Sequence, residues 1–340
     1  MIWSRVRAAF AGMLFAVLSA SARADDCKLG RIASLDFTDN GAIVVPVSLE
    51  GTTMPMAIDT GAEGSAVDPV AAGNLHLIEH PIFQDMMYDA KGEQFTNMAV
   101  LHTLGMGDMH ANNVKMLVWP SRMSENGAVA GVLGPDLLRQ FDVDIDFGAH
   151  KLNLFSQDHC PGKVVYWTSA DVAVIPMHVL NTGHIVLPVT IDGHKLDAML
   201  DTGSTHSFLS MEFARNLFGL TPQSPDMTKI GTISGAVQTE VYRHSFKSLG
   251  MEGLTIGNPA VYLHDNLVNY SLTQGPHTGS RLSDANAAYA IPELILGLEQ
   301  LRHLHLYIAY KEQALYITGA SAPAAAVPGP AAPAPATAAH

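Results

Sequence analysis

Two short triplets contain the residues of this sequence whose chemistry is most readily defined. Asp59-Thr60-Gly61 and Asp201-Thr202-Gly203 lie 142 residues apart. Each Asp ends an apolar stretch, and the Gly lets the following turn approach a second loop closely. If the triplets face one another, their carboxyl groups cannot both ionise easily, and they share one proton. The ionised acid can then take a proton from water while the protonated acid polarises a carbonyl group.

The triplets end two copies of one sequence block. Residues 41–61 align with residues 183–203 without a gap, and nine of the 21 positions are identical. Each copy contains two apolar strands separated by an acidic residue and a Gly, which predicts a tight hairpin turn at Glu50-Gly51 and at Asp192-Gly193. A second block, residues 132–147, aligns with residues 295–310 and starts with two apolar residues and a Gly. The repeats predict two related β-rich units.

The order apolar-apolar-Asp-Thr-Gly, then apolar-apolar-Gly, resembles the aspartic protease family in its retroviral-type and pepsin-type branches. In this sequence the pattern is AIDTGA with VLG in the first half and MLDTGS with ILG in the second. The resemblance covers nearly all of residues 30–319. The resemblance implies an all-β fold, in which an acid-protease-like barrel is duplicated into two pseudo-symmetric lobes with the active site between them. It also implies an aspartic endopeptidase that activates water with Asp59 and Asp201. Because one chain contains both halves, we expect a monomer.

The resemblance implies roles for the residues around the two acids. Thr60 and Thr202 would bond across to the opposite loop, and Gly61 and Gly203 would allow the close approach. In pepsin-type enzymes a hydroxyl after the triplet donates to the catalytic carboxylate; here that residue is Ser204 in the second half and Ala62 in the first. A donor favours the charged form. We therefore expect Asp201 to be ionised and Asp59 protonated, with a weakly acidic pH optimum.

The dyad needs neither a metal nor a cofactor. Asp142, Asp144 and Asp146 share one face of a predicted strand, but their repeat counterparts are His305, Tyr307 and Ala309. We therefore predict an exposed strand face and not a cation site, and the same for His303 and His305. Two other functions stay open: a catalytically silent peptide-binding module of the same fold, and a metal-dependent hydrolase that uses the abundant histidines.

Composition and the ends of the chain indicate partners and location. The 19 basic against 32 acidic residues argue against nucleic acid, because phosphate binding needs a basic surplus. Arg5 and Arg7, an apolar run at 8–18 and Ala22-Arg23-Ala24 predict a cleaved signal peptide over residues 1–24. An uncleaved anchor is the alternative, but the run is short against the ~20 residues of a spanning helix. We expect a secreted or periplasmic protein that acts on peptides or proteins, without stable membrane insertion.

The domain boundaries follow from the repeats. We expect a first lobe over residues 25–156, a connector over 157–170, a second lobe over 171–319 and a disordered Ala/Pro-rich tail over 320–340. In an oxidising compartment Cys27 and Cys160 would form a disulfide; two free thiols are the alternative. A flap hairpin is resembled by residues 226–243 and, less clearly, by residues 85–96 with Tyr88 and Gly92. Ordinary surface hairpins would show the same sequence pattern.

Overall fold

The computed structural model describes residues 28–82, 87, 89, 93–123, 128–233, 239–264 and 292–320. The predicted signal peptide, Cys27 and nearly all of the predicted tail lie outside these residues. The described part consists mainly of strands, which confirms the all-β prediction. None of its helices is long and apolar enough to cross a membrane.

The described elements of the first half run from Arg31 to Phe155. In chain order they are β1 (Arg31–Asp36), β2 (Thr38–Asp39), β3 (Ile43–Leu49), β4 (Thr52–Ile58), β5 (Ala66–Val67), α1 (Pro69–Asn74), β6 (Glu79–Pro81), β7 (Asn97–Met106), β8 (Met109–Val118), β9 (Gly131–Leu133), α2 (Pro135–Leu138), β10 (Asp142–Asp146) and β11 (Lys151–Phe155). The connector that follows them packs back against β10 through His159 and Tyr166.

The described elements of the second half follow the same plan. In chain order they are β12 (Ala173–Pro176), β13 (His178–Val179), β14 (Ile185–Ile191), β15 (His194–Leu200), β16 (Phe208–Ser210), α3 (Met211–Phe218), β17 (Thr228–Ile233), β18 (Thr239–Ser245), β19 (Ser248–Met251), β20 (Leu254–Gly257), β21 (Ala260–His264), β22 (Leu294–Leu296), α4 (Leu298–Leu301), β23 (Leu304–Ala309) and β24 (Ala314–Gly319).

The hairpins β3–β4 and β14–β15 have the turns that the sequence predicts. Strands β3 and β14 show the same alternation of buried and more exposed residues, so one face of each enters the core. The turn residues have positive φ angles: 51° at Glu50 and 80° at Gly51, then 46° at Asp192 and 84° at Gly193. Two consecutive positive φ angles define the hairpin turn whose twist matches the flanking strands. The predicted tight turns are confirmed.

Each half forms its own β-lobe. In the first lobe the strand order β3-β4-β9-β5-β8-β7 closes into a six-stranded barrel because β7 also pairs with β3. The second lobe repeats the order β14-β15-β22-β16-β21-β18, and β19 pairs with β14 where β7 pairs with β3. The two related lobes that the sequence predicts are confirmed.

A third sheet joins the two lobes. Its order β1-β11-β10-β23-β24-β12 takes three strands from each half, and β10 pairs with β23 at its centre. In that pair Asp144 lies opposite Tyr307, its counterpart in the repeat. Pairing of equivalent positions places a local two-fold axis between these two residues.

Candidate active site

Both repeat blocks of a lobe meet where its Asp emerges. Strand β4 runs parallel to β9, and β15 runs parallel to β22. At their ends the Asp59 amide donates to the Leu133 carbonyl at 3.0 Å, and the Asp201 amide donates to the Leu296 carbonyl at 3.0 Å. The apolar-apolar-Gly block therefore lies beside the strand that ends in the Asp. Pairing between these β-strands fixes the backbone position of each Asp.

The two triplets are joined by reciprocal hydrogen bonds. The Thr60 amide donates to Thr202 Oγ1 at 3.1 Å, and the Thr202 amide donates to Thr60 Oγ1 at 3.0 Å. Each hydroxyl in turn donates to a backbone carbonyl of the opposite strand, Thr60 to Leu200 at 2.7 Å and Thr202 to Ile58 at 2.8 Å. Both threonines are fully buried. Four bonds in a dry environment thus hold the turns in one relative position.

The glycines of the triplets lie directly against the opposite acids. A Cβ atom at Gly61 would be 2.4 Å from Asp201 Cγ, and one at Gly203 would be 2.2 Å from Asp59 Cγ. Any side chain at either position would displace the opposite carboxyl group. Gly is therefore required at both positions because the two turns approach each other too closely for a side chain.

The surroundings of the two carboxyl groups keep a proton on the pair. The amides of Gly61 and Gly203 each donate to Oδ1 of the Asp in their own turn at 2.9 Å, and the two acids are hydrogen-bonded to each other. Burial raises the pKa of both acids. That of Asp201 reaches about 8, with the negative charge of Asp59 as the second cause. At neutral pH the pair therefore retains a proton.

The surroundings of the two acids do not favour the predicted distribution of charge, with Asp201 ionised and Asp59 protonated, which stays untested. Burial raises the pKa of Asp59, but the Gly61 amide, the charge of His184 and the hydrogen bond with Asp201 each lower it. The same bond between the acids raises the pKa of Asp201. These influences favour the negative charge on Asp59 and the proton on Asp201, while the two coupled acids titrate as one pair.

The predicted hydrogen bond from the Ser204 hydroxyl to the catalytic carboxylate is wrong. Ser204 Oγ donates to the His206 carbonyl at 2.8 Å, which closes the local turn. The Ser204 backbone amide, and not its hydroxyl, contacts Asp201 Oδ1, at 3.1 Å. A backbone amide is present at every non-Pro residue, so the difference between Ser204 and Ala62 does not create the expected asymmetry.

Two serines that the sequence analysis missed support the turns. Ser65 Oγ accepts from the Gly134 amide at 2.9 Å and donates to Asp136 at 2.7 Å. Ser207 repeats the first contact with Gly297 at 2.9 Å and donates to Gln300. Both serines are buried. Their identity at equivalent repeat positions, six residues after each Asp, is the signal that could have revealed them.

Two arginines at equivalent positions connect the halves. Arg139 donates to the Asn181 carbonyl at 3.2 Å, and Arg302 donates to Asp39 Oδ1 at 3.2 Å. Asn181 and Asp39 are themselves equivalent in the repeat. Each arginine thus crosses from its own repeat block to the start of the other lobe. The sequence shows that both arginines are repeated, but not what they contact.

The prediction of an exposed acidic strand face on β10 is wrong. Asp142 and Asp144 are fully buried, and His305 is 4% exposed. The connector and β23 cover the strand: His159 Nε2 is 2.5 Å from Asp142 Oδ2, and His305 Nε2 is 2.6 Å from Asp144 Oδ1. His303 is exposed. Within the described residues no three His, Cys, Asp or Glu side chains form a group that could hold a metal ion.

The second-half flap segment is a hairpin. Strands β17 and β18 pair antiparallel, and the tip at 234–238 lies outside the described residues. In the first half the Asp89 amide donates to the Glu93 carbonyl and the Phe95 amide donates to the Met87 carbonyl, both at 2.9 Å. Tyr88 and Gly92 lie outside the described residues, as does Cys27. Both the flap roles and the Cys27–Cys160 disulfide therefore stay predictions.

Comparison with known proteins adds a family assignment. The aspartyl protease family model matches residues 45–137 and 187–299. No curated protein matches the chain. Similar solved structures include basic 7S globulin from soybean, with 11% identity, TM-score 0.45, and coverage of 87% of this chain and 96% of that one. An aspartic proteinase from Irpex lacteus has 12% identity, TM-score 0.47, and coverage of 85% and 97%. A retropepsin-like aspartic protease from Rickettsia conorii has 14% identity, TM-score 0.30, and coverage of 43% and 98%.

The two matched ranges each contain one of the Asp-Thr-Gly turns that the four threonine hydrogen bonds hold together. Together they span more than half of the sequence. The chain therefore belongs to the aspartyl protease family.

Proposed function

We propose that this protein is an aspartic endopeptidase in which Asp59 and Asp201 activate a water molecule. The observation that carries the proposal is the contact between the two acids across the crossed threonines. Each acid is within van der Waals reach of the opposite Gly, and the two are hydrogen-bonded to each other. This is the arrangement that one shared proton requires.

The charge distribution assigns the two acids different tasks. Asp59, as the ionised acid, takes a proton from the water, whose oxygen adds to the carbonyl carbon of the scissile bond. Asp201 gives its proton to the carbonyl oxygen, which forms a tetrahedral diol. The proton held by Asp59 then passes to the amide nitrogen while the carbon–nitrogen bond breaks, and Asp201 recovers a proton from the diol. No covalent bond forms between enzyme and substrate.

An apolar surface in the first lobe supports a preference for substrates with apolar side chains beside the cleaved bond. A small apolar cluster extends from Ala62, directly after the first triplet, to Met87 and Phe95 in the first-half hairpin. Trp119 stacks edge-on against Phe95 with ring centroids 5.1 Å apart. Ala62, Met87 and Trp119 are only partly buried, so they offer apolar surface next to the dyad. Burial of an apolar substrate side chain there is favourable.

We also propose that the protein is exported to the periplasm or the medium. The basic start, the apolar run and the Ala22-Arg23-Ala24 site support cleavage before Asp25. An oxidising compartment would allow the Cys27–Cys160 disulfide. Mass spectrometry of the exported protein, with and without reduction, tests both points. A mature chain that starts elsewhere than Asp25 contradicts the cleavage site, and alkylation of two cysteines without reductant contradicts the disulfide.

The assay for the proposed activity is cleavage of an unfolded protein between about pH 4 and about pH 9, with a statine-type inhibitor or a chelator added separately. We expect cleavage that the statine abolishes and the chelator leaves unchanged, with apolar residues flanking the cut bonds in the product masses. Activity should fall above about pH 8, where Asp201 loses its proton. Activity abolished only by the chelator indicates the metal-dependent hydrolase. Peptide binding without cleavage of any substrate indicates the silent module.

A further inference from the structure

A histidine from the second half reaches the active-site turn of the first half. His184, immediately before β14, is 3% exposed. Its Nε2 atom lies 3.1 Å from the carbonyl oxygens of both Gly61 and Ala62. Its Nδ1 atom lies 2.9 Å from Thr182 Oγ1. The imidazole is therefore held on both sides, and it contacts the two residues that follow Asp59-Thr60.

The partners of the ring define where its protons lie. A carbonyl oxygen can only accept, so Nε2 carries a hydrogen and donates to the Asp59 turn. The Thr182 hydroxyl can donate to Nδ1 or accept from it. The site therefore holds the ring in the same place whether it is neutral or positively charged. A histidine in such a site can change its charge without changing its hydrogen-bonded position.

This contact has no equivalent on the other side of the two-fold axis. The residue that corresponds to His184 is Ala42, whose methyl group can donate no hydrogen bond. There the Asp201 turn reaches across instead: Thr205 Oγ1 donates to the Gly41 carbonyl at 2.9 Å. Within an otherwise similar hairpin block, Ala42 and His184 thus differ in size, charge and hydrogen bonding. His184 therefore gives the Asp59 turn a contact with an ionisable ring that Ala42 cannot give the Asp201 turn.

We propose that His184 is a positioning residue that holds the Asp59 turn and keeps Asp59 as the ionised member of the dyad. The inference rests on the proposed endopeptidase function and assigns the asymmetry of the dyad to a residue outside the triplets. The ring acts through the two backbone carbonyls and through its charge, and it does not contact the substrate.

The charges around His184 agree with this role. Burial is the main influence on Asp59 and raises its pKa, whereas the charge of His184 lowers it. Two other charged groups lie on the elements packed against the ring. Glu63 follows Ala62 in the contacted turn, and the Arg139 side chain packs against the Gly183 turn, where a Cβ would be 3.5 Å from Arg139 Cδ. Arg139 keeps its charge across the working range of pH.

The test compares the pH profiles of the wild type, His184→Ala and His184→Gln, with the exposed His303→Ala as the control. The acidic limb of such a profile reports protonation of the ionised acid of the dyad. We expect His184→Ala to lower kcat about tenfold, the rate equivalent of one net hydrogen bond. It should also raise the apparent pKa of the acidic limb by roughly 0.5–1 unit, because the cation beside Asp59 is gone.

His184→Gln separates the two contributions. Its amide N–H can donate to the same carbonyls, so kcat should recover most of the loss, while the acidic limb stays displaced because the charge is absent. A profile of His184→Ala that matches His303→Ala overturns the inference. So does a lower kcat with an unmoved acidic limb, or a failure of Gln to restore kcat. A wild type that cleaves nothing overturns the proposed function itself, and the inference with it.

Discussion

At the scale of single residues, the two acids differ in their surroundings although their triplets are identical. Both acids accept from the two amides that follow their Thr, Gly61 and Ala62 for Asp59 and Gly203 and Ser204 for Asp201. Asp59 differs in lying near the charge of His184. Burial raises the pKa of both, to about 8 for Asp201. The site is thus built to hold a proton that an exposed carboxyl group would lose near pH 4.

This proton makes the stability of the protein depend on pH. A carboxyl group whose pKa is raised in the native state stabilises the fold at low pH. It loses that contribution as the pH rises from its ordinary pKa toward the raised one. For Asp201 the window runs from about pH 4 to about pH 8. Because asparagine cannot ionise, Asp201→Asn should stabilise the protein relative to the wild type, and more so at the upper end of this window.

Urea unfolding at both ends of the window measures the effect. We expect the advantage of Asp201→Asn to grow by at least about 1 kcal/mol from the acidic to the basic end, since one pKa unit corresponds to about 1.4 kcal/mol. The exposed Asp36→Asn serves as the control and should show no such trend. An advantage independent of pH would mean that Asp201 titrates at its ordinary pKa.

At the scale of elements, local pattern predicted the hairpins but not the burial of β10. The turns at Glu50-Gly51 and Asp192-Gly193 depend on the residues within them, so the sequence was sufficient. The burial of Asp144 depends on His305, 161 residues away, and on Tyr166 from the connector. No local pattern encodes those contacts. For the same reason the sequence indicated the position of the dyad but not the role of His184.

The buried contacts of Asp144 predict a large loss of stability on its removal. Asp144 accepts hydrogen bonds from His305 at 2.6 Å, Tyr166 at 2.8 Å and Asn153 at 2.7 Å. Asp144→Ala would leave the buried donors His305 and Asn153 without this acceptor, and we expect a loss of about 3–5 kcal/mol in the free energy of unfolding. Asp36→Ala removes an exposed ion pair with Lys151 in the same sheet and should cost about 1 kcal/mol or less. Similar losses in urea unfolding would contradict the assignment.

At the scale of the whole molecule, one chain supplies what two identical subunits would otherwise contribute. The shared six-stranded sheet, the crossed threonines and the two arginines all join the first half to the second. The site between the lobes is therefore complete within one chain. Its two sides are free to differ, as Ala42 and His184 do.

A complete site in one chain predicts that activity does not depend on association. Specific activity should stay constant as the enzyme is diluted over about three orders of magnitude, since no subunit equilibrium assembles the dyad. Sedimentation at the same concentrations should give the mass of one chain. Specific activity that falls on dilution would show that a second copy completes the site.

In the proposed mechanism both acids carry out the reaction as one unit. The most direct measurement is the turnover of Asp59→Asn and Asp201→Asn against the wild type and Asp36→Asn, with circular dichroism to verify folding. We expect each of the two variants to fold and to lose turnover by about 10²–10⁴-fold, because asparagine can neither hold nor share the proton. Asp36→Asn should match the wild type. A folded Asp59→Asn or Asp201→Asn that retains most of the wild-type turnover would show that the reaction does not need both acids.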